Sequence, residues 1–205
     1  MQRLASLFAD GGPWMYPVAA IGVIGVSLAV INAFTRRDRT SWAVLSLTLC
    51  LLAGMFGASF SMIRVLDHIA AGPGGHKLWL PLHLAAARTS PVYLAALLAA
   101  AGAGLLGLSR ACRCRREPGL AAARLIDGLV GASVLFGVAT ISHVVPEMLI
   151  SAAAVPAEEA YVAMARGLAG AVRQLLWPAS TASALLVVRA VLLSSARAEK
   201  VGPRE

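Results

Sequence analysis

Two ionisable groups four residues apart stand out in an apolar stretch, His143 and Glu147 of "ISHVVPEMLI". Helical spacing puts i and i+4 on one face, and Pro146 loosens the backbone between them. Histidine titrates near neutrality, so a His–Glu pair of this kind can pass a proton along. Arg173 is a second candidate, because 167–188 would otherwise read as one uninterrupted apolar span. A cation there either snorkels to an interface or pairs with a carboxylate such as Glu147 or Asp127. A third group, Arg64, Asp67 and His68, follows another apolar run. Arg64 and Asp67 stand i,i+3 and suit a charged cap at a helix end.

These groups matter because of what surrounds them. The chain has 205 residues, of which 59% are hydrophobic and 14% charged. A soluble domain carries about a quarter charged residues. This composition cannot cover itself with polar surface, so lipid is its solvent and a membrane-depth charge is a functional candidate by default.

A bilayer-crossing helix needs about 20 apolar residues. Five such runs are present, at 11–35, 40–63, 89–109, 128–150 and 167–189, with a polar tail at 190–205. The expected fold is therefore all-α, a polytopic membrane helical bundle of about five transmembrane helices forming one membrane domain. The first run is too long for a signal-peptide core and ends in no small-residue cleavage site, so it reads as a retained span.

The net charge of +8 raises the question of nucleic acid. The basic residues fall between apolar runs and accompany no nucleic-acid motif, so no nucleic-acid partner is expected. They alternate instead. Arg36, Arg37 and Arg39, then Arg110, Arg113, Arg115, Arg116 and Arg124, then Arg189, Arg197, Lys200 and Arg204 occupy every second connection. The positive-inside rule then sets the N-terminus out and the C-terminus in.

No catalytic motif occurs, so the expectation is not an enzyme. "GPGG" at 72–75 reads as a turn. Cys112 and Cys114 in an arginine-rich loop, with Cys50 in an apolar run, form neither a disulfide framework nor a zinc site. No metal and no cofactor are expected. Bis-histidine haem needs two imidazoles at matching depth on facing helices. His68, His83 and His143 instead all fall near the outer boundary, leaving a small haem or quinone protein as the remote alternative.

The spans are rich in small residues, which permit close backbone approach where lipid supplies no hydrophobic force. "GMFGAS" and "AAAGAGLLG" make Gly54, Gly57, Gly102, Gly104 and Gly107 the candidate packing positions. A modest internal repeat relates the second and third spans to the fourth and fifth. In it, a Gly-containing helix is followed by a loop, an approach bearing Arg88 or Arg166, and a small-residue helix closed by Arg110 or Arg189.

"GGPWMYPVAAIGVIGVSLAVINAF" resembles the first span of the MotA/TolQ/ExbB proton-channel family, and "LLAGMFGASFSMIRVLDHIAA" resembles its second. The expected topology agrees with that family. The connection at 35–40 is short where the family has a long helical region. Gly57-Ala58 or Gly137-Val138 stands where the family has Gly-Thr. The resemblance implies a duplicated, diverged subunit of the bacterial inner membrane, acting in proton-coupled transport or force transmission. It also implies a homo-oligomer or a single-span membrane partner bearing an aspartate. The competing reading is a non-conducting polytopic scaffold or assembly subunit.

Overall fold

Apolar residues stand on every side of these runs, so each helix satisfies its own backbone and leaves side chains to lipid or neighbours. The computed structural model describes residues 8, 12–35, 39–71, 89–114 and 117–200. At 62, 64–71, 153, 157, 158, 160, 161 and 195–200 it describes the backbone alone. A 3₁₀ turn, Gly12–Trp14, leads into five helices: α1 (Met15–Phe34), α2 (Thr40–Ala71), α3 (Ser90–Arg113), α4 (Pro118–Ala153) and α5 (Ala157–Lys200). Among the described residues there is no strand.

All five helices are long and apolar enough to cross a membrane. All but α1 outrun the charge-free stretches, the last two by the most. α4 begins at Pro118 and α5 extends over 44 residues. At about 1.5 Å per residue α5 measures about 66 Å, more than twice the roughly 30 Å of hydrocarbon. The connection between them is only 154–156, and Arg166 stands inside α5 rather than in a separate approach. The sequence repeat is therefore not matched by a loop-plus-approach in its second copy. Residues 72–88, which hold Arg88, His83 and the "GPGG" stretch, lie outside the described residues.

Helices α1, α2 and α3 pack on one another, α4 packs on α3, and α5 packs on α4. Small residues make the first contact possible. Leu47 of α2 lies where a Cβ would stand on both Gly25 of α1 and Gly102 of α3, so one leucine fills two glycine gaps. Around it cluster Ala29, Ala43 and Leu106, and a second cluster joins Val18, Cys50 and Ala95. The Cys50 thiol donates to the Val18 carbonyl at 3.3 Å, and Ser46 Oγ donates to the Ile21 carbonyl at 2.9 Å. These bonds hold α2 to α1 where no water competes.

Gly107 and Gly128 are the closest meeting of α3 with α4. A Cβ on Gly107 would lie 2.5 Å from the Gly128 Cα, so the two backbones touch directly. Gly54 abuts Ala95 and Pro91, and Gly57 abuts Trp14. Gly104 departs from the expectation. A Cβ there meets nothing within 4 Å, because two residues of helix rotate it about 200° away from Gly102.

Burial separates the three cysteines, all free: Cys50 is buried, Cys112 exposed and Cys114 half-buried. Maleimide is expected to modify Cys112 and Cys114 in folded protein and Cys50 only after unfolding. Mass spectrometry of labelled peptides checks this, and fast labelling of Cys50 in folded protein would refute the α1–α2 packing.

Candidate functional site

Three polar groupings are built at the helix ends. The first contains the His–Glu pair. Pro146 has no N–H, so the Ser142 carbonyl loses its intrahelical donor. Thr89 at the start of α3 supplies one: its Oγ1 donates to Ser142 O at 2.9 Å. The interruption thus becomes a tie between α3 and α4. One residue on, His143 Nε2 lies 3.3 Å from Glu147 Oε1, and the imidazole stands 5.3 Å from the Tyr93 ring. Both members of the pair are more than half exposed, at 56% and 64%.

Arg173 comes to the same depth. The contacts of Met148 with Gly167, Gly137 with Pro178, and Asp127 with Arg189 fix the antiparallel register of α4 and α5. That register sets Arg173 level with Ser142, one residue from the depth of His143. Arg173 is exposed and makes no ion pair among the described residues. The alternative of a pairing with Asp127 is not formed, since Asp127 lies more than four turns further along the bundle.

Asp127 belongs to the second grouping, at the opposite end. Arg189 of α5 donates through Nε to Asp127 Oδ1, and Arg124 Nη1 approaches Oδ2 at 3.9 Å. The pair is 37% and 30% exposed, so it ties α4 to α5 at a boundary and not in dry interior.

The third grouping stands at that same end and centres on Asn32, the chain's only asparagine and fully buried. Its Nδ2 donates to Ser109 Oγ at 2.9 Å and to Thr40 Oγ1 at 3.2 Å. Its Oδ1 accepts the Arg39 amide N–H at 2.9 Å and Arg113 Nη2 at 2.6 Å. Arg113 Nη2 also donates to the Asn32 carbonyl at 3.0 Å. The end of α1, the start of α2 and the end of α3 are thereby fastened at one point. Asn32 went unrecognised in the sequence. Its rarity and its place in an uncharged span were the available signals.

Arg64, Asp67 and His68 lie on α2, but their side chains fall outside the described residues, as does His83. No group of three or more potential metal ligands occurs among the described residues.

The Thr89 tie gives a direct expectation. Thr89→Val keeps the shape and removes the donor to Ser142 O, at a cost of about 1 to 2 kcal/mol. Thr89→Ser retains it. The melting temperatures of the two variants in detergent should therefore diverge, and equal values would show that the tie contributes nothing.

Comparison with known proteins finds no matching family model, no matching curated protein and no matching solved structure.

Proposed function

We propose that this chain is a multi-pass subunit of the bacterial inner membrane, N-terminus out and C-terminus in. Its work is done where α4 and α5 meet a neighbouring helix. The observation that carries this reading is a division of polar groups between the two halves of the bundle. In α1–α3 the buried Asn32 and Ser109 are hydrogen-bonded to each other, Ser46 is bonded to the Ile21 carbonyl, and no buried side-chain N or O anywhere among the described residues lacks a partner. In the α4–α5 hairpin several polar side chains instead lie outward, with the half-exposed Asp127–Arg189 pair joining the two helices at one end. His143, Glu147 and Arg173 stand at one depth toward the other end, and Ser180, Thr181 and Ser183 nearer the middle.

Distances along α4 agree with a membrane-crossing series. Sixteen residues separate Asp127 from His143, about 24 Å, and twenty separate it from Glu147, about 30 Å. The pair therefore straddles one hydrocarbon boundary when Asp127 sits at the other. Outward hydroxyls and a titratable pair need a second surface to exclude lipid and hold water. A partner helix or another copy supplies that surface, as the resemblance to MotA/TolQ/ExbB subunits implies. Protons would then pass between chains, with His143 and Glu147 taking them up at the outer mouth.

The second reading is a non-conducting scaffold, favoured by the complete pairing of buried polar groups in α1–α3. Membrane vesicles from cells making the protein separate the two. The channel reading expects faster decay of an imposed pH gradient than in control vesicles. It also expects His143→Ala and Glu147→Ala each to slow the decay by about tenfold or more, in the range for loss of a positioned proton carrier. Decay no faster than the control, or unchanged in both variants, would leave the scaffold.

A further inference from the structure

The basic end of the bundle carries an imbalance of charge that the proton reading does not use. Among the described side chains there, Arg39, Arg110, Arg113, Arg124 and Arg189 stand against Glu117 and Asp127. The Arg113 guanidinium is engaged with Asn32, and Arg39, whose backbone amide also meets Asn32, stands at the start of α2 away from α4 and α5. The other three come together on consecutive helices. Gly107 and Gly128 touch, Arg110 follows Gly107 by three residues, and Arg124 precedes Gly128 by four. Both arginines therefore stand about one turn beyond the crossing, on the sides that face each other. Arg189 reaches the same level through Asp127. Arg124 and Arg189 thus share the Asp127 carboxylate, Arg110 stands near them without a carboxylate of its own among the described residues, and Arg124 remains 47% exposed.

Guanidinium groups match the oxygens of a phosphate in paired hydrogen bonds, and basic clusters between membrane helices suit anionic headgroups. Toward the middle of the bundle the same three helices bound an open groove of about 400 Å³. It is lined by Ala100, Leu129, Phe136, Trp177 and Pro178 with the hydroxyls of Ser133 and Thr181. Leu129 lies five residues from Arg124, about 7.5 Å along the axis. A cationic end above an apolar groove fits a molecule with a phosphate head and a hydrocarbon tail, and not a free anion.

We propose that Arg110, Arg124 and Arg189 bind the phosphate of an anionic phospholipid whose acyl chain lies in the α3–α4–α5 groove. The proposal rests on the membrane-subunit reading, since it needs this end at a bilayer surface. It is independent of whether protons move.

The test titrates full-length protein in neutral detergent with phosphatidylglycerol, following the melting temperature and bound lipid by native mass spectrometry. Phosphatidylcholine of the same chains and glycerol phosphate are titrated in parallel. The expected result is a saturable rise with phosphatidylglycerol alone. The double variant Arg110→Gln/Arg124→Gln should shift the half-saturating concentration upward by about tenfold, the factor that accompanies loss of one charge-assisted hydrogen bond. Arg166→Gln, about 35 Å away along α5, should not shift it. The double variant's lipid-free melting temperature shows whether it is folded, and both positions are exposed enough to predict that it is.

An equal rise with phosphatidylcholine would overturn the proposal in favour of unselective lipid contact. An equal rise with glycerol phosphate would overturn it in favour of a free-anion site. An unmoved half-saturation in the folded double variant would remove the arginines from it. Insertion into phosphatidylcholine vesicles without preference for phosphatidylglycerol defeats this proposal alone. Failure to enter vesicles of either lipid defeats the membrane reading as well.

Discussion

Gly128→Leu is expected to separate α4 from α3 and to be the most damaging single change in the bundle. The reason is what the new atoms would meet. At several tight positions an added Cβ meets the tip of a flexible side chain, as Gly102 meets Leu47, and a rotamer change can absorb it. At Gly128 it meets the Gly107 Cα and the Ala103 carbonyl, which cannot move without moving α3. Overpacking costs about 1 to 3 kcal/mol where side chains yield, and a backbone obstacle belongs at or beyond the upper end. No hydrophobic force in lipid would restore the contact, because the gain there comes from close packing itself. Gly104 supplies the opposite expectation on the same helix. With open space around its Cβ position, Gly104→Ala should stabilise by up to about 1 kcal/mol through helix propensity. Melting in detergent, read alongside protease sensitivity of the connection at 115–116, should therefore rank Gly104→Ala above wild type and Gly128→Leu far below it. A Gly128→Leu protein that melts within a degree or two of wild type would contradict the direct backbone contact.

The same glycines show how far the sequence could be read. The five helices were legible because their signal is collective: some twenty apolar residues without charge can do little else at about 30 Å of hydrocarbon. Packing positions were only partly legible. "AAAGAGLLG" marks a helix able to approach closely, but composition does not say which glycine faces a neighbour. Three-dimensional register decides between Gly104 and Gly107, and it depends on a partner, Gly128, that follows a separate connection. Helix ends were less legible still. Charge-free runs stop at the first charged residue, whereas backbone hydrogen bonding does not, and so α4 begins ten residues before Gly128.

The site divides in the same way. His143 and Glu147 are neighbours because helical spacing alone makes them so, and local rules suffice. Arg173 reaches their depth only through the α4–α5 register, which no local pattern carries. The partner of Asp127 is set by that same register: Arg189 meets it, while Arg173 lies sixteen residues away on the same helix. Thr89 and Ser142 are a related case. A proline in a helix announces an orphan carbonyl, but not which distant hydroxyl answers it.

Asn32→Leu is the second large effect, and it tests whether one buried amide fastens three helices. Leucine has the same branching as asparagine and is larger, so the change removes hydrogen bonds without opening a cavity. The four partners do not lose equally. Ser109 Oγ only accepts from Asn32 and keeps its own donation to the Leu106 carbonyl at 3.1 Å, so it loses no donor bond. Arg113 keeps the Asn32 backbone carbonyl at 3.0 Å. The Arg39 amide N–H is the group with least freedom, because the turn into α2 holds it in place. An interhelical hydrogen bond in membrane proteins averages about 0.6 kcal/mol. An unmatched buried donor costs about 1 to 3 kcal/mol, so the stranded amide dominates and the expected loss is about 2 to 3 kcal/mol. Asn32→Asp keeps an acceptor toward both the amide and the Arg113 guanidinium, and should lose less than leucine despite its charge. A double-mutant cycle with Arg113→Gln reads the coupling directly. The combined variant should fall short of the summed single losses by at least about 0.5 kcal/mol, since both singles break the same 2.6 Å bond. Strict additivity, or an Asn32→Leu protein as stable as wild type, would show that the three helices are held together without this amide.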